Sequence, residues 1–231
     1  MEQIILKHPS YKHLPKKRLY DVVRLKNPKI TMKDVEKYLE GGKQQQLEEV
    51  FKKVSKPKFL KITSLPRTFQ IDVVMMPKYS KYNKGIKSFL LIVDVMSRKA
   101  FAYCLLNEKM NEVVKFFKEF INNVKEVRAV TGDNFFESKE FKEVCKTKHI
   151  ELYTGIAKDD HMTYGNRLGI IDRLTRTLKN MINRRMVSDE DVRWTSWLSE
   201  IIELYNELPH RSLDKQSPDE VWGNRIAQIK N

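Results

Sequence analysis

The sequence predicts an α/β fold: a five-stranded mixed sheet flanked by helices, preceded by a small helical N-terminal domain. Three observations carry the prediction. Three apolar runs of strand length follow one another between residues 69 and 106. Helical and strand patterns then alternate, as they do when helices cover both faces of a sheet. Finally, the first 68 residues hold 17 of the 44 Lys and Arg but only 7 of the 30 Asp and Glu, so most of the net charge of +14 precedes the sheet.

The elements are justified in order. Leu19, Val22 and Val23 stripe a first short helix. Thr31 caps a second, with Asp34 at its third position, Val35 and Leu39 on its apolar face, and Gly41-Gly42 at its end. A third, from Gln44 to Lys53, carries Leu47 and Phe51. Residues 1–53 thus read as a basic helical domain, either a helix-turn-helix-like DNA-binding unit or a helical cap packed on the next domain, and 54–67, mixing Lys with two prolines, as a linker. The remainder, 68–231, reads as one core with helices at its C-terminal end. Its strands are Phe69 to Met76, Ser88 to Val95, Ala100 to Leu106, Val127 to Thr131 and Ile150 to Tyr153. The stretch from Pro77 to Lys87 reads as a hairpin loop. Helices are expected at about 109–124, with Val113, Phe117, Phe120 and Ile121 on one face, at 138–146, at 167–185, at 190–206 and at 218–228. The last opens on Ser217-Pro218-Asp219-Glu220, a cap with Pro in the first turn and Glu three residues on.

Composition narrows the function. Apolar residues make up 41% of the 231, enough for a sizeable core. The run Phe89–Val93 is far too short to span a bilayer, so no membrane role is expected. Two cysteines, Cys104 and Cys145, form no Cys-x-x-Cys pair, which argues against a zinc finger or disulfide framework and for a reducing, intracellular setting. His8 and His13 likewise have no Cys partners. A basic segment ahead of a nearly balanced core suggests a polyanionic partner, most simply nucleic acid, although a lysine-rich solvated surface would look the same.

Three carboxylates stand where chemistry would use them. Asp72 interrupts the apolar strand Ile71-Asp72-Val73-Val74, a costly place for a charge without a counterpart. Asp133 directly follows the strand end Val130-Thr131-Gly132, where sites form in α/β sheets. Asp172 lies in the long helix beside Ile170-Ile171. Carboxylates without competing His or Cys favour Mg²⁺ or Mn²⁺, and two such ions roughly 3.5–4 Å apart can serve both oxygens of a phosphodiester exchange. Yet any three can be picked from 30 acids, and Asp94 is a rival strand acid. Arg176 and Lys179, four and seven residues after Asp172, share its helix face and could hold phosphates. An ordinary amphipathic helix with an Asp–Arg pair would show the same spacing. Trp194, Trp197 and Trp222 read as packing residues.

Over about residues 66–223 these segments resemble the DDE/D transposase and retroviral-type integrase family, which has a ribonuclease H-like fold. Phe69-Gln70-Ile71-Asp72 resembles the first-acid strand. Phe89 to Ala100 is similar to the second strand and turn, whose Asp, here Asp94, is usually non-catalytic. Thr131-Gly132-Asp133-Asn134-Phe135-Phe136-Glu137-Ser138 resembles the second-acid motif, and Leu168 to Lys179 the third-acid helix. Tyr205 to Leu213, then Ser217-Pro218, matches the tail of many such cores. Within the family the likeness is to integrases of Polinton/Maverick elements, large DNA viruses and virophages; a helical N-terminal unit replaces a His-His-Cys-Cys module.

The resemblance implies a DNA integrase that cleaves element ends and joins them to target DNA, with Asp72, Asp133 and Asp172 as catalytic residues and as ligands of two Mg²⁺ or Mn²⁺ ions. It implies Arg173, Arg176 and Lys179 as DNA-binding residues. It also implies double-stranded DNA and further copies of the chain as partners, and a location in a host nucleus, viral factory or virion. The third acid is usually Glu. Asp172 is one methylene shorter, so its helix must sit about 1 Å closer to the ions. Two alternatives stay open: a ribonuclease H-like nuclease without strand transfer, and a DNA-binding remnant.

Overall fold

A computed structural model describes residues 4–5, 8, 11, 14–40, 65–154 and 168–224. The expected helix at 44–53, Gly41-Gly42, most of the linker, His13, residues 155–167, and the chain beyond 224 lie outside the described residues. Five strands form one open sheet in the order β3-β2-β1-β4-β5, in which β1 is Thr68–Met75, β2 Ser88–Asp94, β3 Ala100–Leu105, β4 Ala129–Thr131 and β5 Glu151–Tyr153. β1, β2 and β3 are antiparallel, while β4 runs parallel to both β1 and β5. The sheet is therefore mixed, as the order of elements requires. Every residue of β2 is buried, as befits a strand covered on both faces.

Alternation along β1 sorts the two layers. Phe69 and Ile71 face a core filled by α3 (Met110–Val124) and α4 (Lys139–Thr147), through Phe117, Phe120 and Phe141. Val74 and Met76 face the opposite core, built by α5 (Gly169–Ser188) and α6 (Leu198–Glu207), with Ile171, Leu174, Leu178 and Ile201. Gln70 and Asp72 alternate in phase with Val74, so they point toward α5. This second core also takes in the N-terminal helices α1 (Lys16–Lys26) and α2 (Met32–Glu40), whose Leu19, Val22, Val23 and Val35 join the same cluster as Phe89, Trp194 and Tyr205. The Arg18 guanidinium lies 5.8 Å from the centroid of the Tyr205 ring. Thr31 and Asp34 form a reciprocal cap: the Asp34 carboxylate accepts from the Thr31 amide at 2.8 Å, and the Thr31 hydroxyl accepts from the Asp34 amide at 3.3 Å.

The C-terminal tail is fastened to the sheet. The Asn206 side chain accepts from the Ala100 amide at 2.8 Å and donates to the Ala100 carbonyl at 2.9 Å. Ser217 and Glu220 form the expected capping box at the start of α7 (Pro218–Gly223). Trp222 then packs on Phe69 and Phe101 with the Arg67 guanidinium 3.5 Å from its ring centroid. All three tryptophans are packing residues. Among the described residues no helix is long and apolar enough to cross a membrane.

Three readings need correction. The expected helix over 190–206 is a turn at Trp194–Ser196 followed by α6 from Leu198, because Asn83 takes the Thr195 amide and hydroxyl hydrogen bonds. The stretch between β1 and β2 is not a plain hairpin loop but carries a 3₁₀ turn over Pro77–Tyr82. The last helix ends at Gly223, with Asn224 already extended, rather than running to 228.

Candidate active site

Each acid is placed by a different element. Asp72 sits mid-strand in β1, opposite Leu91 of β2, and is half-buried. In the parallel register Gln70 pairs with Thr131, the last residue of β4, and Asp133 follows two positions past that strand end. Asp133 is exposed at the strand end and caps the 3₁₀ turn Asn134–Glu137, accepting from the Phe135 amide at 3.0 Å. Gly132 makes the close approach of this turn possible. A Cβ there would lie 2.5 Å from the Phe136 ring and 3.0 Å from Ile71, so no larger residue fits between strand and turn. Asp172 is exposed in the first turn of α5.

That turn is anchored from the sheet. The Leu168 side chain caps nothing. Instead the Gln70 side chain, only 2% exposed, accepts from the Ile171 amide at 2.9 Å. One of the orphan N–H groups of the helix start is thus satisfied by the strand that carries Asp72. Sequence reasoning missed Gln70. Its only signal is a polar residue two positions before Asp72, on the same strand face.

Electrostatics tie the three acids together. The Asp72 carboxyl is pushed above the usual carboxylate range, first by burial, then by repulsion from Asp133 and Asp172; the Val73 amide and Lys179 oppose the shift. Asp172 is also raised, by desolvation, with Arg176 opposing. So Lys179 acts on Asp72 and Arg176 on Asp172, whereas Arg173, one residue round the helix, acts on Arg98. Asp72 thus senses Asp133, Asp172 and Lys179, and Asp172 senses Arg176. Among the described residues no three His, Cys, Asp or Glu side chains are gathered closely enough to form a ready metal cage. The donor set nevertheless suits hard cations: hard oxygens only, mutually repelling, two of the three carboxylates exposed.

The competing residues are accounted for. Asp94, 1% exposed, accepts from the Ser97 amide and hydroxyl, both at 2.7 Å, and so builds the turn before β3. Glu137 accepts from the Thr154 hydroxyl at 3.0 Å. Burial pushes the Cys104 and Cys145 thiols up to about 11, which leaves neither a ready nucleophile.

No family model matches the chain. An uncharacterised transposon-derived protein of Caenorhabditis elegans is 24% identical over 153 residues, 64% of this chain and 51% of that protein. The chain thus spans about half the length of this curated relative. Among solved structures, the HTLV-2 integrase catalytic core domain, in complex with magnesium, aligns at a TM-score of 0.53 with 22% identity, over 68% of this chain and 97% of that one. A chain of the simian T-cell lymphotropic virus intasome, in complex with the PP2A regulatory subunit B56 gamma, aligns at 0.61 with 16% identity, over 94% and 74%. The five-stranded mixed sheet with its flanking helices is the ribonuclease H-like fold of the retroviral integrase core.

Proposed function

We propose that this chain is an integrase or transposase-type polynucleotidyl transferase that cuts DNA at element ends and joins them to target DNA. The observation that carries the reading is one half-buried strand carboxylate, Asp72, raised first by its own desolvation and then by two other carboxylates, from a strand end and a helix start. Asp72 with Asp133, and Asp72 with Asp172, would each hold a divalent ion, Mg²⁺ or Mn²⁺. Bound there, the pair would supply Lewis acidity at the entering and departing oxygens of a phosphodiester. The protein's own part is positional. β1 fixes Asp72, Gly132 holds Asp133 close to the sheet, and Gln70 orients the first turn of α5. Lys179 and Arg176 offer cations to the phosphates beside the reacting one. In each step an oxygen nucleophile forms a new P–O bond while the opposite P–O bond breaks: water as nucleophile gives end cleavage, and a DNA 3′-hydroxyl gives joining.

Support comes from the integrase-type fold and the transposon-derived relative. Within the class we place the chain with integrases of Polinton/Maverick elements and large DNA viruses, on the strength of its helical N-terminal unit. We expect it to act as a multimer on double-stranded DNA, inside a host nucleus or viral factory. Plasmid nicking and labelled-oligonucleotide joining, each with Mn²⁺ or Mg²⁺, test the reading. Joined products that fall at least about 100-fold in Asp133→Asn support it. Cutting without joining would instead make the chain a ribonuclease H-like nuclease, DNA binding alone would make it a remnant, and full joining by Asp133→Asn would remove the assigned site.

A further inference from the structure

Twelve residues separate β1 from β2, Met76 to Lys87. Two antiparallel neighbours need only two to five. The surplus is not slack. Pro77–Tyr82 form a 3₁₀ turn, Lys84 and Gly85 take left-handed conformations, and the Met76 amide donates to the Lys87 carbonyl across the base. At its centre Asn83 is 2% exposed. Its amide donates to the carbonyls of Tyr79, at 2.8 Å, and Val192, at 2.9 Å, and accepts from the Thr195 amide, at 3.1 Å, and hydroxyl, at 3.0 Å. Two donors and two acceptor sites are all that a side-chain amide has, so Asn83 is fully used as a pin.

The pinned loop displays one kind of chemistry. Lys78, Lys81 and Lys84 are exposed. The Lys78 ammonium lies 5.7 Å from the Tyr79 ring centroid and that of Lys81 4.7 Å from the Tyr82 ring, which is itself 49% exposed. No acidic residue occurs from Val73 to Val93; Lys87 pairs across to Glu108 at 3.6 Å. The loop lies on the continuation of β1 beyond Asp72. Its pin reaches the segment that follows α5, the helix that begins against Gln70 and carries Asp172, Arg176 and Lys179. Site and loop thus stand at two ends of one strand-and-helix pair. β1 continues only three residues past Asp72, to Met75, before the 3₁₀ turn that holds Lys78, so Lys78 lies within roughly 20 Å of Asp72, at most about six base pairs of duplex at 3.4 Å each.

We propose that the loop from Pro77 to Lys87 is a second DNA-backbone contact, gripping phosphates within about six base pairs of the reacting one. The inference rests on the DNA reading of the acidic site. A rigid display of lysines braced on tyrosines is what repeated phosphate contact requires, since little side-chain and loop freedom is left to lose on binding.

The test uses the full chain and a fluorescent 30-base-pair duplex over a salt series. Lys78→Glu with Lys81→Glu is compared with Lys118→Glu and Lys142→Glu, the same charge change on α3 and α4. The loop pair should weaken binding at least ten-fold and flatten the slope of log affinity against log salt by about two, one phosphate per lysine. The control pair should change affinity less than three-fold. Equal weakening by both pairs, or no effect of the loop pair beside a wild type that binds and cuts, would overturn this inference and leave the active-site reading standing. A wild type that fails to bind duplex DNA would overturn both.

Discussion

Asp72 is the residue on which folding and chemistry disagree. Its raised pKa means that the folded state disfavours the ionised carboxylate. The sign follows: folding is most favoured below the ordinary carboxylate pKa, and the stability is lost as pH rises through the raised value of the folded state. Asp72→Asn should therefore melt at a higher temperature than wild type at neutral pH in chelator. The gain should shrink as pH falls through the raised pKa and vanish below the ordinary one; a gain independent of pH would place its cause elsewhere. Asp72 was legible in the sequence because an acid inside an apolar strand is an anomaly, and Asp133 because it ends a strand. Gln70 and Asn83 carry no such mark. A strand glutamine and a loop asparagine look ordinary until the fold brings Ile171 to one and Thr195 to the other.

At the scale of elements, the start of α5 depends on the sheet. Gln70→Leu keeps the volume but leaves the Ile171 amide without that acceptor, at a cost of about 1–3 kcal/mol. The turn bearing Asp172 should shift. We expect turnover to fall about ten-fold with DNA affinity unchanged, since small misplacements of a catalytic group act on rate. Steady-state cleavage kinetics check this, and a loss confined to DNA affinity would contradict it. Most strands and helices were readable within a few residues, because their apolar periods match their burial. The helix expected over 190–206 fails for a particular reason. Trp194, Trp197, Leu198 and Ile201 keep helical spacing, yet the chain leaves the helix where a distant asparagine offers Thr195 a better partner.

Across the whole molecule, the N-terminal helices belong to the energetics of the core. Leu19 is fully buried in the cluster that holds Trp194 and Trp197. Leu19→Ala should cost about 2–5 kcal/mol, and the urea transition reported by tryptophan fluorescence should move with it; an unmoved transition would show that the helices melt apart from the core. An amphipathic stripe at Leu19, Val22 and Val23 announces an apolar face, but nothing local says which surface covers it, so packing on the core stayed one of two readings of the sequence. The hold of Asn206 on Ala100 has a consequence for assembly. β3 is an outermost strand, and such margins invite a neighbouring molecule to continue the ladder. By engaging both main-chain groups of Ala100, the amide mimics the missing strand at that rung and blocks the seam where a stranger could zip on.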